Sequence, residues 1–284
     1  MRILFLTGLA MIAFAANSLL SRLALVDGAI SAEAFTLVRI VSGALTLSAI
    51  LMVLQGAKGF YHQWRIGFYS GMCLFLYALL FSLAYTELTT GFGALILFGS
   101  VQFSLLGIHL FQGHRFSSIE WLGILVSFLG FIWLVNPSSS TLALWPMLSM
   151  LFSGVSWAGF TLLGKRSGAA LPATTKGFIV ASVISMALIP WVLDTQSITS
   201  QGLTYAVISG AITSGMGYVL WYAVVPKISL LSASLSQLLV PAIAMIMGVL
   251  FLRESITTEN LLSMSLILGG IALTLYQQHR KSAH

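Results

Sequence analysis

Charge is scarce in this chain. Only 7% of its 284 residues are Asp, Glu, Lys or Arg, and 58% are hydrophobic. A soluble globular protein carries roughly 25% charged residues. A chain of this length cannot hide so much apolar surface in a water-facing fold, so that class is excluded and lipid must be the solvent. Acids are scarcer than bases, seven against thirteen, and none sits near the middle of an apolar run. That argues against a cycle driven by protonating a membrane-buried carboxylate. Cysteine is reduced to Cys73, inside an apolar segment, which excludes an intramolecular disulfide and makes a redox centre unexpected. His, Cys, Asp and Glu form no set with ligand spacing, so neither a metal nor a cofactor is expected. The net charge of +6 is scattered over short loops and offers no patch for nucleic acid.

What the chain does have is apolar runs. Ten can be marked: Ile3–Leu20, Ala32–Leu54, Ile66–Tyr85, Gly91–Phe111, Ile119–Val135, Leu142–Leu163, Gly177–Leu193, Leu203–Val225, Leu230–Leu252 and Asn260–Tyr276. They must be helices. Hydrocarbon forces each backbone to satisfy its own hydrogen bonds, and the runs are too long and too uniformly apolar for barrel strands. The expected fold is an all-α integral membrane protein of ten transmembrane helices, with short loops and no soluble domain. Arg2, the first run and Ala13-Phe14-Ala15 imitate a cleaved signal peptide, but the run continues to Leu25 and is read as the first span.

Charge sets the expected orientation. With the N-terminus in the cytoplasm, the inner loops hold Arg2, Lys58, Arg65, Arg115, Lys165, Arg166, Lys176, Lys227, Arg280 and Lys281. The outer ends hold Arg22 and Arg253, and Arg39 lies within the second run. Ten against two predicts that both termini are cytoplasmic, in the inner or plasma membrane of the cell.

The chain also resembles itself. Gly93–Glu120 and Ser232–Glu259 align at a constant offset of 139, with Ala94 on Ala233, Arg115 on Glu254, Ser118 on Thr257 and Glu120 on Glu259. Further on, Gly130 falls on Gly269. AFAANSLLSR and SWAGFTLLGK match at the ends of runs one and six, so Arg22 pairs with Lys165. Two units are expected, residues 1–136 and 137–284. Five helices is an odd number, so the second unit enters the membrane upside down, as an inverted-topology repeat.

These residues carry a resemblance to a known family. The turn and last helix of each half read QGHRFSSIEWLGILVSFLGFIWL and FLRESITTENLLSMSLILGGIAL. Pro241, Arg39 in FTLVRIVSGAL and the stretch AYTELTTGFGALI add to it. Over nearly its whole length the chain resembles the drug/metabolite transporter superfamily, in particular its EamA-type ten-helix members. That family's Gly-Glu-Arg after helices 4 and 9 is replaced here by Gly113-His114-Arg115 and Leu252-Arg253-Glu254. The resemblance implies an exporter of amino acids or other small metabolites. It also implies a central cavity between helices 1–4 and 6–9, with helices 5 and 10 peripheral.

Candidate site residues follow from polarity at membrane depth. Arg39 lies about 12 Å below the outer end of helix 2, at 1.5 Å per residue. It reads either as a dock for a substrate carboxylate or as a structural arginine. Gln102 and Gln237 sit near mid-membrane, where an amide can bind a polar ligand or join helices. Aromatic stripes run through Tyr77, Phe81 and Tyr85 in helix 3 and through Tyr218, Trp221 and Tyr222 in helix 8, with Trp157 near mid-depth in helix 6. They suit an amphipathic solute or plain packing. Pro241 is expected to kink helix 9. Asn17, Ser18, Ser153 and Ser156 are small polar residues at matching depth, for lining or close packing. Trp121, Trp145 and Trp191 read as interfacial anchors.

The expected function is a secondary transporter, an exporter of amino acids or other small amphipathic metabolites that works by alternating access. A multidrug cation exporter is the alternative. An intramembrane enzyme is a third reading, because Gly154-Val155-Ser156-Trp157-Ala158 approaches a nucleophile elbow. It lacks the last glycine and a histidine base at that depth, so no enzyme is expected. The partners are a small-molecule substrate and the bilayer, and the chain is expected as a monomer or weak homodimer.

Overall fold

The computed structural model describes residues 2–61, 64–113, 115–135, 144–194, 198–224, 227–228, 233 and 236–282. His114, Ser232 and the loop between the two halves lie outside them. Among the described residues every regular element is helical. The spans are α1 (Arg2–Leu25), α2 (Ala32–Gln55), α3 (Trp64–Tyr85), α4 (Thr90–Phe111), α5 (Ser118–Val135) and α6 (Leu144–Arg166). α7 runs Ala170–Ser185, then through a 3-10 turn, Met186–Leu188, into Ile189–Asp194. α8 is Ser200–Ile208, a π-helical stretch Ser209–Met216, and Gly217–Val224. α9 (Leu239–Leu252) and α10 (Thr258–Ser282) complete the bundle. Among the described residues eight helices are long and apolar enough to cross a membrane, and Ser118–Trp133 and Leu239–Leu252 are shorter apolar helices. Large apolar side chains such as Val53, Phe111 and Leu193 stand fully exposed on the outside. That is the surface of an integral membrane protein, with lipid for solvent.

Two expectations need correction. α7 begins at Ala170 rather than Gly177, because Pro172 fits a first turn whose N–H groups have no intrahelical partners anyway. Lys176 is therefore not a loop residue. It is 1% exposed within α7, with its stem against Gly67 of α3. α1 runs through Arg22 to Leu25, past the marked end at Leu20 and as far as the apolar run was read to continue. Helical backbone stands on both sides of a one-residue turn at Leu238, at Ser236 and Gln237 before it and from Leu239 after it, and Pro241 is the third residue of α9. The proline has no N–H for the Gln237 carbonyl, which is where the helix is interrupted.

The packing follows a regular pattern. α2 packs on α7, α4 on α9 and α5 on α10; α3 lies against α6 and α7, and α8 against α1 and α2; α4 touches α6, and α9 touches α1. Hydroxyl groups stitch several of these seams. Thr36 donates to Ser82 at 2.8 Å, Ser100 to the Leu151 carbonyl at 2.7 Å, and Ser127 to the Ile267 carbonyl at 3.0 Å. Such bonds contribute about 0.6 kcal/mol each in a membrane. Where α5 meets α10, a Cβ on Gly123 would lie 2.6 Å from the Gly270 carbonyl. Gly123, Gly130 and Gly270 are thus spent on contact within the chain, whereas a Cβ on Gly269 would meet open space.

Helix starts show how the turns are fixed. Ser31 caps α2, accepting from the Ala34 amide at 3.2 Å. Ser117 and Glu120 form a capping box on α5: Ser117 donates its amide and hydroxyl to the Glu120 carboxylate, and the Glu120 amide returns to Ser117 Oγ. α4 has no such local cap. Its first amide is satisfied by Glu254, 164 residues away.

Candidate functional site

Arg39 is the centre of the site. It points from α2 toward α3 and is 3% exposed. Its Nη2 donates to the Tyr77 hydroxyl at 2.9 Å. Its guanidinium carbon lies 5.2 Å from the Tyr77 ring centre and 4.8 Å from that of Phe81. Nη1 is buried and has no hydrogen-bond partner. Placing arginine at this depth costs on the order of 3 kcal/mol. The two ring faces return about 2 kcal/mol or more when desolvated. No acid among the described residues pairs with it. The guanidinium is thus held by an aromatic clamp and one hydroxyl, with a donor left over.

An aromatic wall continues from this clamp. The Tyr77 ring lies 4.6 Å from Trp157, and Trp157 lies 5.5 Å from Tyr218. Tyr218 stacks on Tyr222 at 6.1 Å, and the Tyr222 hydroxyl accepts from Thr174 at 3.0 Å. Phe14 of α1 joins Tyr218 to Trp221, at 5.8 and 6.1 Å. Arg39, Tyr77, Phe81, Trp157, Tyr218, Trp221 and Tyr222 therefore form one connected cluster from α2, α3, α6 and α8. Sequence reasoning missed Phe14, Phe160 and Phe178, which also touch Tyr218. Phe14 had a signal, since it falls on Trp157 when AFAANSLLSR is laid on SWAGFTLLGK. Phe160 and Phe178 had none, because a phenylalanine in an apolar run looks the same facing lipid or protein.

Gln102 and Gln237 stand apart. Gln102 is buried and ends the half of α4, Thr90 to Gln102, that is buried on every side. Gln237 is half-buried just before α9. Among the described residues no hydrogen bond or ring contact joins either to the Arg39 cluster.

Asn17 links the cluster to an irregular helix. Its Oδ1 accepts from Ser209 at 2.6 Å and from Thr213 at 3.3 Å, and its Nδ2 lies 3.5 Å from the Tyr77 hydroxyl. Ser209 and Thr213 belong to the π-helical stretch of α8. That stretch lies on α2 itself: a Cβ on Gly210 would clash with Ser42 Oγ and the Arg39 carbonyl. A π stretch has wider turns than an α-helix and often marks a functional place. Here it brings two hydroxyls to Asn17 and seats a bare backbone against the turn carrying Arg39. Ser156 is different. Its hydroxyl donates back to the Phe152 carbonyl of its own helix at 2.9 Å, as packing residues do.

A second polar cluster closes one end of the bundle. Glu254 accepts from the Thr90 amide at 2.9 Å and the Thr90 hydroxyl at 3.1 Å. Its carboxylate faces Arg22 Nε at 3.8 Å. Arg22 also donates to the Tyr85 and Thr86 carbonyls at 3.0 and 2.8 Å. One ion pair thus ties α1, the end of α3, the start of α4 and the end of α9. The carboxylate also sits at the positive end of α4, where it is favoured. Arg253 takes a left-handed conformation, φ +55°, to turn the chain so that Glu254 can reach back. Gly248 leaves the space, since a Cβ there would clash with Glu254 Oε2.

The chain has recognisable relatives. Residues 144–276 match the model of the EamA-like transporter family. The uncharacterized protein PA1977 of Pseudomonas aeruginosa is 40% identical over 278 residues, covering 96% of this chain and 94% of its own. The uncharacterized transporter YwfM of Bacillus subtilis is 25% identical over 73% of this chain and 72% of its own. An uncharacterized transporter of Archaeoglobus fulgidus is 23% identical over 70% of this chain and 73% of its own. A crystal structure of a protein 17% identical to this chain superposes with a TM-score of 0.70, covering 98% of this chain and 99% of the other, and shares the fold. With helices of membrane-spanning length, these matches identify a membrane transporter, consistent with the drug/metabolite transporter superfamily: residues 144–276 are an EamA-like transporter family domain.

Proposed function

We propose that the chain is a secondary transporter exporting amino acids or other small amphipathic metabolites through the Arg39 cluster by alternating access. The observation that carries this reading is the Arg39 guanidinium. It is buried at membrane depth with Nη1 unpartnered, between the rings of Tyr77 and Phe81, and Trp157 of the other half lies against Tyr77. A structural arginine gains most from completing its hydrogen bonds; a binding arginine keeps one donor for its ligand. The main seams support an inverted repeat of residues 1–136 and 137–284, since exchanging each helix with the one five places on maps α2–α7, α4–α9 and α5–α10 onto themselves, α3–α6 and α3–α7 onto α8–α1 and α8–α2, and α4–α6 onto α9–α1. The Arg22–Glu254–Thr90 cluster supports a form closed at the end that the charge count puts outside. The contact of Gly123 with Gly270 supports a monomer or weak homodimer.

The test is efflux from proteoliposomes loaded with a panel of labelled amino acids and amphipathic metabolites. Flux that falls by at least about tenfold in Trp157→Ala, a change of about 1.4 kcal/mol, is expected. Absence of flux for every solute, or flux indifferent to Trp157, sinks the reading. The cation-exporter alternative has less support, because the acids of the described helices lie in first turns or at helix ends.

A further inference from the structure

We propose that the ligand of this site is a net anion, a solute with one carboxylate on an aromatic body and no ammonium group. The inference rests on the transporter reading above and narrows its substrate class. Arg39 supplies the attraction, because its unpartnered, buried Nη1 lies beside a donor already engaged by Tyr77. A guanidinium with an open N–H matches a carboxylate oxygen.

The surroundings narrow the choice. An amino acid would bring an ammonium, which needs acceptors or an opposing charge once it leaves water. Asn17 Oδ1 already accepts from Ser209 and Thr213, and the Tyr77 hydroxyl accepts from Arg39. The faces of Tyr77 and Phe81 that could hold a cation already hold the guanidinium. Glu254 is engaged at the end of the bundle by Arg22 and Thr90. The amides of Gln102 and Gln237 are not joined to the cluster. A cation beside Arg39 would meet a like charge in a medium of low dielectric. A net anion neutralises Arg39 and carries no second charge to desolvate. The Trp157 and Tyr218 rings, 5.5 Å apart, give its body an aromatic wall.

Three solutes sharing one ring system test this by titration calorimetry on the purified full chain: indole-3-acetate, tryptophan and tryptamine. Indole-3-acetate should bind at least about tenfold more tightly than tryptophan, and tryptamine most weakly. Arg39→Gln should erase that ranking, and Arg39→Lys should keep part of it. Tryptophan binding as tightly as indole-3-acetate overturns the anion proposal yet leaves transport through this site standing. Equal binding of all three, unchanged in Arg39→Gln, overturns both. If chloride at physiological ionic strength abolishes binding seen in sulfate, the site takes a small inorganic anion and the carboxylate class is wrong. No binding of indole-3-acetate, or of phenylacetate as a second ring, overturns the proposal while the efflux panel decides the transporter reading on its own.

Discussion

Arg39 and Tyr77 hold each other in place. The tyrosine hydroxyl accepts from Nη2 and its ring lies under the guanidinium. Tyr77→Phe keeps the ring and removes the acceptor, leaving a second buried N–H unpaired at a cost of about 1–3 kcal/mol. The thermal midpoint in detergent should fall; a midpoint equal to that of the parent would mean the hydroxyl contributes nothing. This part of the site was legible in the sequence. An arginine eight residues inside an apolar run must face protein or water, and Tyr77 and Phe81 at i, i+4 share a helix face. Lys176 was misread by the same logic, because its position near a run boundary made a loop and a first-turn burial look alike.

The π stretch of α8 was not legible. Nothing in SGAITSGM announces wider turns. Its contacts join Asn17 to residues 192 and 196 positions later, and its backbone rests on α2. Gly210 is the point of closest approach. Gly210→Val should lower the thermal midpoint by an overpacking cost of about 1–3 kcal/mol and weaken solute binding, because the displaced backbone is the turn bearing Arg39. Unchanged stability and binding would show that the two helices separate freely. The start of α4 makes a parallel case. In the sequence Glu254 stands out only as the repeat partner of Arg115 and as part of an altered family motif, but in the fold it caps α4 from across the bundle. Glu254→Ala should cost about 1 kcal/mol, as lost caps do, and open that end. In a Cys73→Ser background, Met245→Cys, packed against Gly91, should then label faster with a polar maleimide. An unchanged labelling rate would count against a latch.

At the scale of the whole molecule, an apolar chain with few charges reads as a helical membrane protein from composition alone, and the helix order follows from its runs. The convergence of α2, α3, α6 and α8 on one aromatic cluster that holds Arg39 does not, since it depends on which helix faces which. The charge count predicts that the α4–α5 turn is cytoplasmic and the α9–α10 turn outside. Cysteines at Gln112 and Ser255, both exposed, test it in intact cells: Ser255→Cys should label with an impermeant maleimide and Gln112→Cys only after permeabilisation, and the reverse pattern would invert the topology. With no acid at mid-span, a pH gradient alone should drive little uptake into proteoliposomes; strong pH-driven accumulation would overturn that coupling argument. The account turns on Arg39 as the point where solute meets carrier. Counterflow of a labelled aromatic carboxylate in proteoliposomes, measured for the parent chain and for Arg39→Gln at matched folded content, tests it most directly. The account predicts flux in the parent and a loss of at least about tenfold in the variant; equal flux in both would contradict it.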